Sequence, residues 1–138
     1  MSTVNPSDLL EIHQLYARYT HMLDTAREAE WADCFVPDGE FRIPARGIEV
    51  RGTASLCQFG RDYAAKVNGT ERHVTTNILI ETTPQAGQYV GRAYLIMVVG
   101  DRDTGRVRAL GTYEDTIVQV DGQWKFSRRV LNYRVAET

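Results

Sequence analysis

Three histidines, His13, His21 and His73, are the side chains of this 138-residue sequence best suited to moving protons near neutral pH, because an unperturbed imidazole titrates at about 6.5. His73 opens a run rich in β-branched residues (Val74, Thr75, Thr76, Ile78, Ile80, Thr82) that reads as a strand. Alternation puts His73 on one face with Thr75, Asn77 and Leu79. That polar series fits a wet cavity, and it fits a solvated strand end equally. Asp24 falls near the end of the first helical pattern, where the helix dipole favours cations. It is therefore either the solvated first residue of a loop or a carboxylate with a specific partner. Together the two side chains can form a dyad. The carboxylate accepts a hydrogen bond from one ring nitrogen, fixes the tautomer and offsets the imidazolium charge, and the other nitrogen takes a proton from substrate. His21, three residues before Asp24, could join Asp24 and His73 as a facial metal triad, but nothing else in the sequence supports a metal.

Other chemistries lack their parts. There is no Gly-x-Ser-x-Gly elbow and no Gly-rich phosphate loop, and Cys34 sits in an apolar helical stripe. Cys34 and Cys57 have no metal-ligand spacing and read as reduced, half-buried thiols. No cofactor is expected. With 16 basic and 18 acidic residues the net charge is −2. The densest basic run is Arg128-Arg129, so a nucleic-acid partner is not expected. The longest apolar stretch, Ala93 to Val99, falls far short of the roughly 20 residues a membrane span needs. Met1 to Pro6 carries neither a basic nor an apolar leader region, and the expected location is cytoplasmic.

The elements that must position these residues follow from hydrophobic period. Pro6-Ser7-Asp8 starts a helix, and Leu9, Ile12, Tyr16, Tyr19 and Leu23 form its apolar stripe to about Asp24. A shorter helix over Glu28 to Phe35 buries Trp31, Cys34 and Phe35, and Pro37-Asp38-Gly39 turns the chain. Glu40 to Pro44 reads as a short strand. A third helix starts at Gly52-Thr53 with Thr53 as its cap, buries Leu56, Phe59, Tyr63 and Val67, and closes at Asn68-Gly69. The period then changes to two. Strands are expected over Arg72–Thr82, Gln88–Val99, Arg106–Val120 and Gln123–Val135, with Asp121-Gly122 as a hairpin turn. Helices followed by a strand meander make the whole chain, 1–138, one α+β domain. A sheet this long twists and leaves a concave face on which the helices must pack.

On these landmarks the chain resembles the nuclear transport factor 2-like superfamily, in its SnoaL-like branch. They are Tyr19-Thr20-His21-Met22-Leu23-Asp24, the Trp31-to-Phe35 segment before Asp38-Gly39, His73-Val74-Thr75-Thr76-Asn77, Gly111-Thr112-Tyr113 and the hairpin Asp121 to Ser127. The resemblance implies a cone-shaped α+β barrel, with three N-terminal helices packed on a strongly curved antiparallel sheet. It is nearest in function to the dehydratase-like members: scytalone dehydratase, bile-acid 7α-dehydratase and hexachlorocyclohexane dehydrochlorinase. In these an Asp–His dyad comes from the end of the first helix and the start of the strand after the third, the positions of Asp24 and His73. Tyr19 matches a polar pocket position, and Arg129 a charged one. On an ideal helix Tyr19 and Asp24 stand about 140° apart, since five residues at about 100° turn about 500°. Alternation separates Arg129, Leu131 and Tyr133 from Arg128, Val130 and Asn132, so one arginine faces the pocket and the other solvent. The implied wall is apolar and aromatic: Phe41, Tyr94, Ile96, Tyr113, Leu131 and Tyr133. Unlike the scytalone type, the chain has no second histidine in its sheet half.

The resemblance thus implies a cofactor-independent lyase. His73 would act as base, Asp24 would orient it, and Tyr19 and Arg129 would assist departure of water, halide or a small carbonyl fragment from a hydrophobic aromatic or polycyclic metabolite. An isomerase or cyclase would use the same dyad, and a non-catalytic scaffold like the small subunit of a ring-hydroxylating dioxygenase is the third reading. A homo-oligomer, trimer or dimer, is expected.

Overall fold

The computed structural model describes residues 3–137. Helix α1 spans Pro6–Asp24. Its cap is Asn5, one residue ahead of the expected start, whose side-chain oxygen accepts from the amides of Ser7 at 2.8 Å and Asp8 at 3.3 Å. The apolar stripe buries Ile12, Leu15, Tyr16, Tyr19 and Leu23.

The second helix is shorter than its apolar pattern. Helix α2 covers only Glu28–Ala32, and strand β1 begins at Phe35 and runs to Ile43. Pro37-Asp38-Gly39 is therefore not a turn but an irregularity inside β1, where the register against its neighbour shifts between Phe35 and Glu40. A bulge accommodates a proline that cannot donate to the ladder. Gly39 is required there, because a Cβ would lie 2.7 Å from that of Phe35. After a 3-10 turn at Pro44–Arg46, strand β2 (Ile48–Arg51) folds back on β1, a pairing too short to show in the hydrophobic pattern. Helix α3 is Thr53–Val67. Gly52 caps it, and the Thr53 hydroxyl donates instead to the carbonyl of Pro37 at 3.4 Å.

Strands β3 (Glu71–Thr82), β4 (Gln88–Gly100), β5 (Gly105–Val120) and β6 (Gln123–Ala136) form the expected meander. The sheet order is β2-β1-β6-β5-β4-β3. Strand β1 runs parallel to β6, so the sheet is mixed rather than wholly antiparallel, and it stays open between β2 and β3 instead of closing as a barrel. The parallel pairing follows from the route of the chain, which lays β1 and β2 beside the last strand before α3 crosses to the far edge.

One bulge decides which residues of β3 face inward. The β3–β4 register shifts between Thr76 and Leu79, and Asn77 adopts φ of 54°. His73 faces in before the shift; Ile78 packs against the core and Ile80 is buried after it. Asn77 and Leu79 are exposed, so the polar series that shares a face with His73 stops at Thr75. Of the expected α3 face only Leu56 is fully covered; Phe59, Tyr63 and Val67 stay half-buried because they border a cavity.

Sheet and helix layer approach closely at Gly91 of β4, where a Cβ would collide with the Tyr16 hydroxyl and come within 3.1 Å of Ile80. Gly91→Ala should cost about 1–3 kcal/mol through overpacking, measured by urea denaturation. Unchanged stability would contradict this close approach.

Candidate active site

Between the helices and the concave sheet face lies a cavity of about 700 Å³. Its floor and walls are apolar or aromatic: Tyr19 and Leu23 from α1, Phe41 and Ile43 from β1, Phe59 from α3, then Met97, Tyr113 and Leu131 from the sheet. Tyr133, Tyr63, His73 and a set of charged side chains stand around the rest. Of the six wall residues read from the sequence, Phe41, Tyr113, Leu131 and Tyr133 line the cavity. Tyr94 and Ile96 do not. The inward residues of β4 are Ala93, Leu95 and Met97, and this parity turns Tyr94 and Ile96 to the outer face, where Tyr94 is 55% exposed.

The end of α1 meets the start of β3 through Asp24 and His73. Asp24 Oδ1 lies 2.5 Å from His73 Nδ1, and Asp24 Oδ2 accepts the backbone N–H of His73 at 2.9 Å. Both carboxylate oxygens grip one residue, so ring and backbone are held together. The side chains of His73 and Asp24 are only 6% and 4% exposed, respectively. With Nδ1 engaged, Nε2 is the nitrogen left for the cavity that His73 lines. Asp24 is the last residue of α1 and stands behind the imidazole, while Tyr19 forms part of the cavity floor. The 140° between them is thus met by two separate positions rather than one shared wall. His21 is exposed, and among the described residues no three His, Cys, Asp or Glu side chains converge as metal ligands, so the possible triad of His21, Asp24 and His73 is not assembled.

A second polar cluster adjoins the dyad, and sequence reasoning missed it. Glu71 shares the inward face of β3 with His73 and is buried. The Tyr63 hydroxyl donates to Glu71 Oε2 at 2.7 Å. Arg108 pairs with the same carboxylate, Nε 2.9 Å from Oε1 and Nη2 donating to Oε2 at 3.2 Å. Burial, then the bond to Glu71, pushes the Tyr63 phenol up, so it stays protonated. The Tyr63 and His73 rings are 5.6 Å apart. Two-residue alternation from His73 could have found Glu71. Arg108 could not be found that way, because the β4–β5 register shifts from Met97↔Ala109 to Val98↔Val107 and leaves Arg108 as the extra residue.

Arg129 is the inward arginine of its pair; Arg128 is half-exposed. Arg129 is fully buried yet does not line the cavity. It lies beneath the two floor tyrosines, its guanidinium 3.4 Å from the Tyr113 ring centroid and 4.3 Å from that of Tyr19, with Phe126 at 4.6 Å and Tyr16 at 4.9 Å. Its Nε donates to Asp115 Oδ1 at 3.0 Å, and the Tyr16 hydroxyl donates to Asp115 Oδ2 at 2.5 Å. Burial works against the charge on Arg129, but Asp115 together with Tyr113, Tyr19 and Tyr16 outweighs it and pushes the guanidinium up, so it stays charged. Among the described residues Nη1 and Nη2 have no hydrogen-bond partner, and the Tyr19 hydroxyl has no acceptor. Burial pushes the Tyr19 and Tyr113 phenols up, which keeps them as neutral donors. Cys34 is buried in the same core, its thiol pushed up to about 11 by burial. Removing one partner of a buried ion pair strands the other, so Arg129→Met should lower stability by about 3–5 kcal/mol. Equilibrium unfolding in urea measures this, and a change within about 0.5 kcal/mol would show that Asp115 does not need its partner.

No curated protein matches the chain. Solved structures do. A variant of Rv3472, a function-unknown protein from Mycobacterium tuberculosis, is 28% identical with a TM-score of 0.83, over 94% of this chain and 77% of that one. Aln2 from a Streptomyces species is 25% identical with a TM-score of 0.85, over 96% and 94%. A protein from Novosphingobium aromaticivorans, provisionally described as a scytalone dehydratase, is 25% identical with a TM-score of 0.79, over 94% and 85%. The SnoaL-like domain family matches residues 6–130. With that span, and with helices packed on an open curved sheet around a cavity, the chain belongs to the SnoaL-like domain family of the nuclear transport factor 2-like superfamily, which includes polyketide cyclases and dehydratases.

Proposed function

We propose that this protein is an acid–base catalyst of the dehydratase type, acting on a hydrophobic aromatic or polycyclic small molecule. The observation that carries the reading is the two-point grip of Asp24 on His73, which leaves Nε2 toward an apolar cavity. The carboxylate accepts from Nδ1–H, so the neutral ring presents Nε2 as a bare base. A carbon acid next to a carbonyl gives its proton to Nε2. The C–H electron pair moves toward the carbonyl as an enolate, and Asp24 offsets the imidazolium that forms. The C–O bond of a β-hydroxyl then breaks as the C=C bond forms, and the imidazolium returns its proton to the departing oxygen, releasing water.

The enolate oxygen needs a donor in a site from which water is excluded. Tyr19 lines the cavity and its hydroxyl finds no acceptor among the described residues, so it is the donor assigned to that position; its oxygen is covered, and a small shift of the side chain is needed to present it. Arg129 acts from below: its positive charge against the Tyr19 and Tyr113 rings favours negative charge gathering at their hydroxyls, without touching substrate. The provisional scytalone dehydratase among the similar structures agrees with this chemistry.

We also propose that the chain self-associates through the outer face of its sheet. Cross-strand register lines up Val74, Ile96, Leu110 and Val135 as an apolar row over four strands. Three of these, Val74, Leu110 and Val135, are 41–59% exposed, and Tyr94 projects beside the row. A continuous apolar strip on a sheet face is a common basis for association.

Two experiments test these readings. On an aromatic-fused β-hydroxy ketone, such as 3-hydroxy-1-tetralone, His73→Ala should lose about 10²–10⁴-fold in kcat with its thermal unfolding unchanged. Asp24→Asn should lose about tenfold or more, in line with a wrongly oriented base. Full turnover by folded His73→Ala would overturn the dyad, and a product of unchanged mass would move the assignment to an isomerase or cyclase. In sedimentation velocity, Leu110→Glu should shift the protein from oligomer to monomer; an unchanged mass distribution would overturn the outer-face contact.

A further inference from the structure

The charged side chains around the cavity are not evenly matched. Six of them border it: Arg46, Lys66 and Arg108 against Asp62, Glu71 and Glu137. Glu71 is taken by Arg108 and the Tyr63 hydroxyl. Glu137 is held by both Nε and Nη2 of Arg106, which does not line the cavity, at 3.2 and 2.8 Å. Asp62 accepts from the Gln58 amide at 2.8 Å, one turn back along α3. Among the described residues, neither Arg46 nor Lys66 has a carboxylate within 4.0 Å. Two unpaired cations therefore stand beside the cavity against one carboxylate, Asp62, that has only a neutral partner.

Arg46 is also pre-placed. Its guanidinium sits 4.9 Å from the Tyr133 ring centroid, and Nη2 donates to the main-chain oxygen of Glu137 at 3.4 Å. Tyr133 itself lines the cavity. Stacking on an aromatic ring restrains the long side chain, so less freedom is lost when an anion docks. Lys66 lies in the last turn of α3, one helical turn after Tyr63, which packs near His73. The two cations thus come from different elements, the 3-10 turn and α3, and both border the cavity that His73 lines.

We infer that the substrate carries a carboxylate, bound between Arg46 and Lys66 while its apolar ring system fills the cavity. This rests on the acid–base reading above and names the preferred substrate class of that same site: an aromatic or polycyclic carboxylic acid. Two cations bordering an apolar cavity favour a carboxylate over a neutral group of the same shape, and because both are exposed the preference weakens with salt.

The test compares two ligands of one shape, anthraquinone-2-carboxylate and anthraquinone-2-carboxamide, by isothermal titration calorimetry on the full chain. The wild-type protein should bind the acid about tenfold or more tightly than the amide at low salt. Arg46→Met and Lys66→Met should each shrink that ratio about threefold, and the double variant should abolish it while amide affinity stays within about twofold. His73→Ala should keep the full preference, because binding of the acid does not need the base. Equal wild-type affinities for acid and amide, or a preference that survives in the double variant, would overturn the inference. Since neither ligand turns over, this outcome is separate from the kinetic test of the dyad.

Discussion

A guanidinium with no exposed surface sits at the centre of this fold, and the structure around it is arranged to hold that charge. Arg129 comes from β6, its counter-ion Asp115 from β5, and the phenol that completes Asp115, Tyr16, from α1. Rings of Tyr16, Tyr19, Tyr113 and Phe126 surround it and supply the electrostatic contact that water would otherwise provide. An ion left unpaired at this depth would cost several kcal/mol. The sheet and the first helix therefore cannot separate without exposing it. This fastening fixes the azimuth of α1, and with it the side of the helix on which Tyr19 meets the cavity and Asp24 meets β3.

Above that point the cavity lining divides by chemistry. Tyr19 and Tyr113 lie over the buried cation, aliphatic and aromatic side chains form much of the rest, and Arg46, Lys66, Glu71 and Arg108 belong to its polar border. The Asp24–His73 pair is fastened independently of the floor, through a backbone amide as well as a ring nitrogen. The base proposed at His73 would meet its substrate where the surroundings are largely apolar, which strengthens each electrostatic contact made there. Superfamily membership is consistent with such chemistry but does not decide it, because one fold of this kind hosts several reactions.

Much of this was legible in the residues. The 3.6-residue period located α1 and α3, and the two-residue period located β3 to β6 within a residue or so of their ends. Asp24 and His73 were visible as a helix-terminal acid and a strand-initial histidine, and they meet at 2.5 Å. Several of the readings that failed share a cause: a local irregularity moved the parity or the boundary. The bulge at Pro37 to Gly39 turned an expected turn into strand, and the left-handed Asn77 reset the face of β3. The displaced Arg108 brought a cation inward that no alternation rule would place there. Tyr94 and Ile96 failed for another reason. An apolar residue on a long strand reads as buried, yet here the outer face carries its own apolar row. The Asp115–Tyr16 partnership was also hidden, since its members stand 99 positions apart and only the folded helix layer joins them.

The central claim is that Asp24 fixes His73 in the tautomer whose Nε2 is free to accept a proton. Nitrogen-15 NMR of labelled protein, in a long-range correlation between ring protons and ring nitrogens, reads this directly. In the neutral imidazole of His73 the proton should reside on Nδ1, with Nε2 at the chemical shift of a bare nitrogen, and Asp24→Asn should disturb that distribution. A neutral ring protonated on Nε2, with a bare Nδ1 toward Asp24, would contradict the account and remove the proposed base from the cavity.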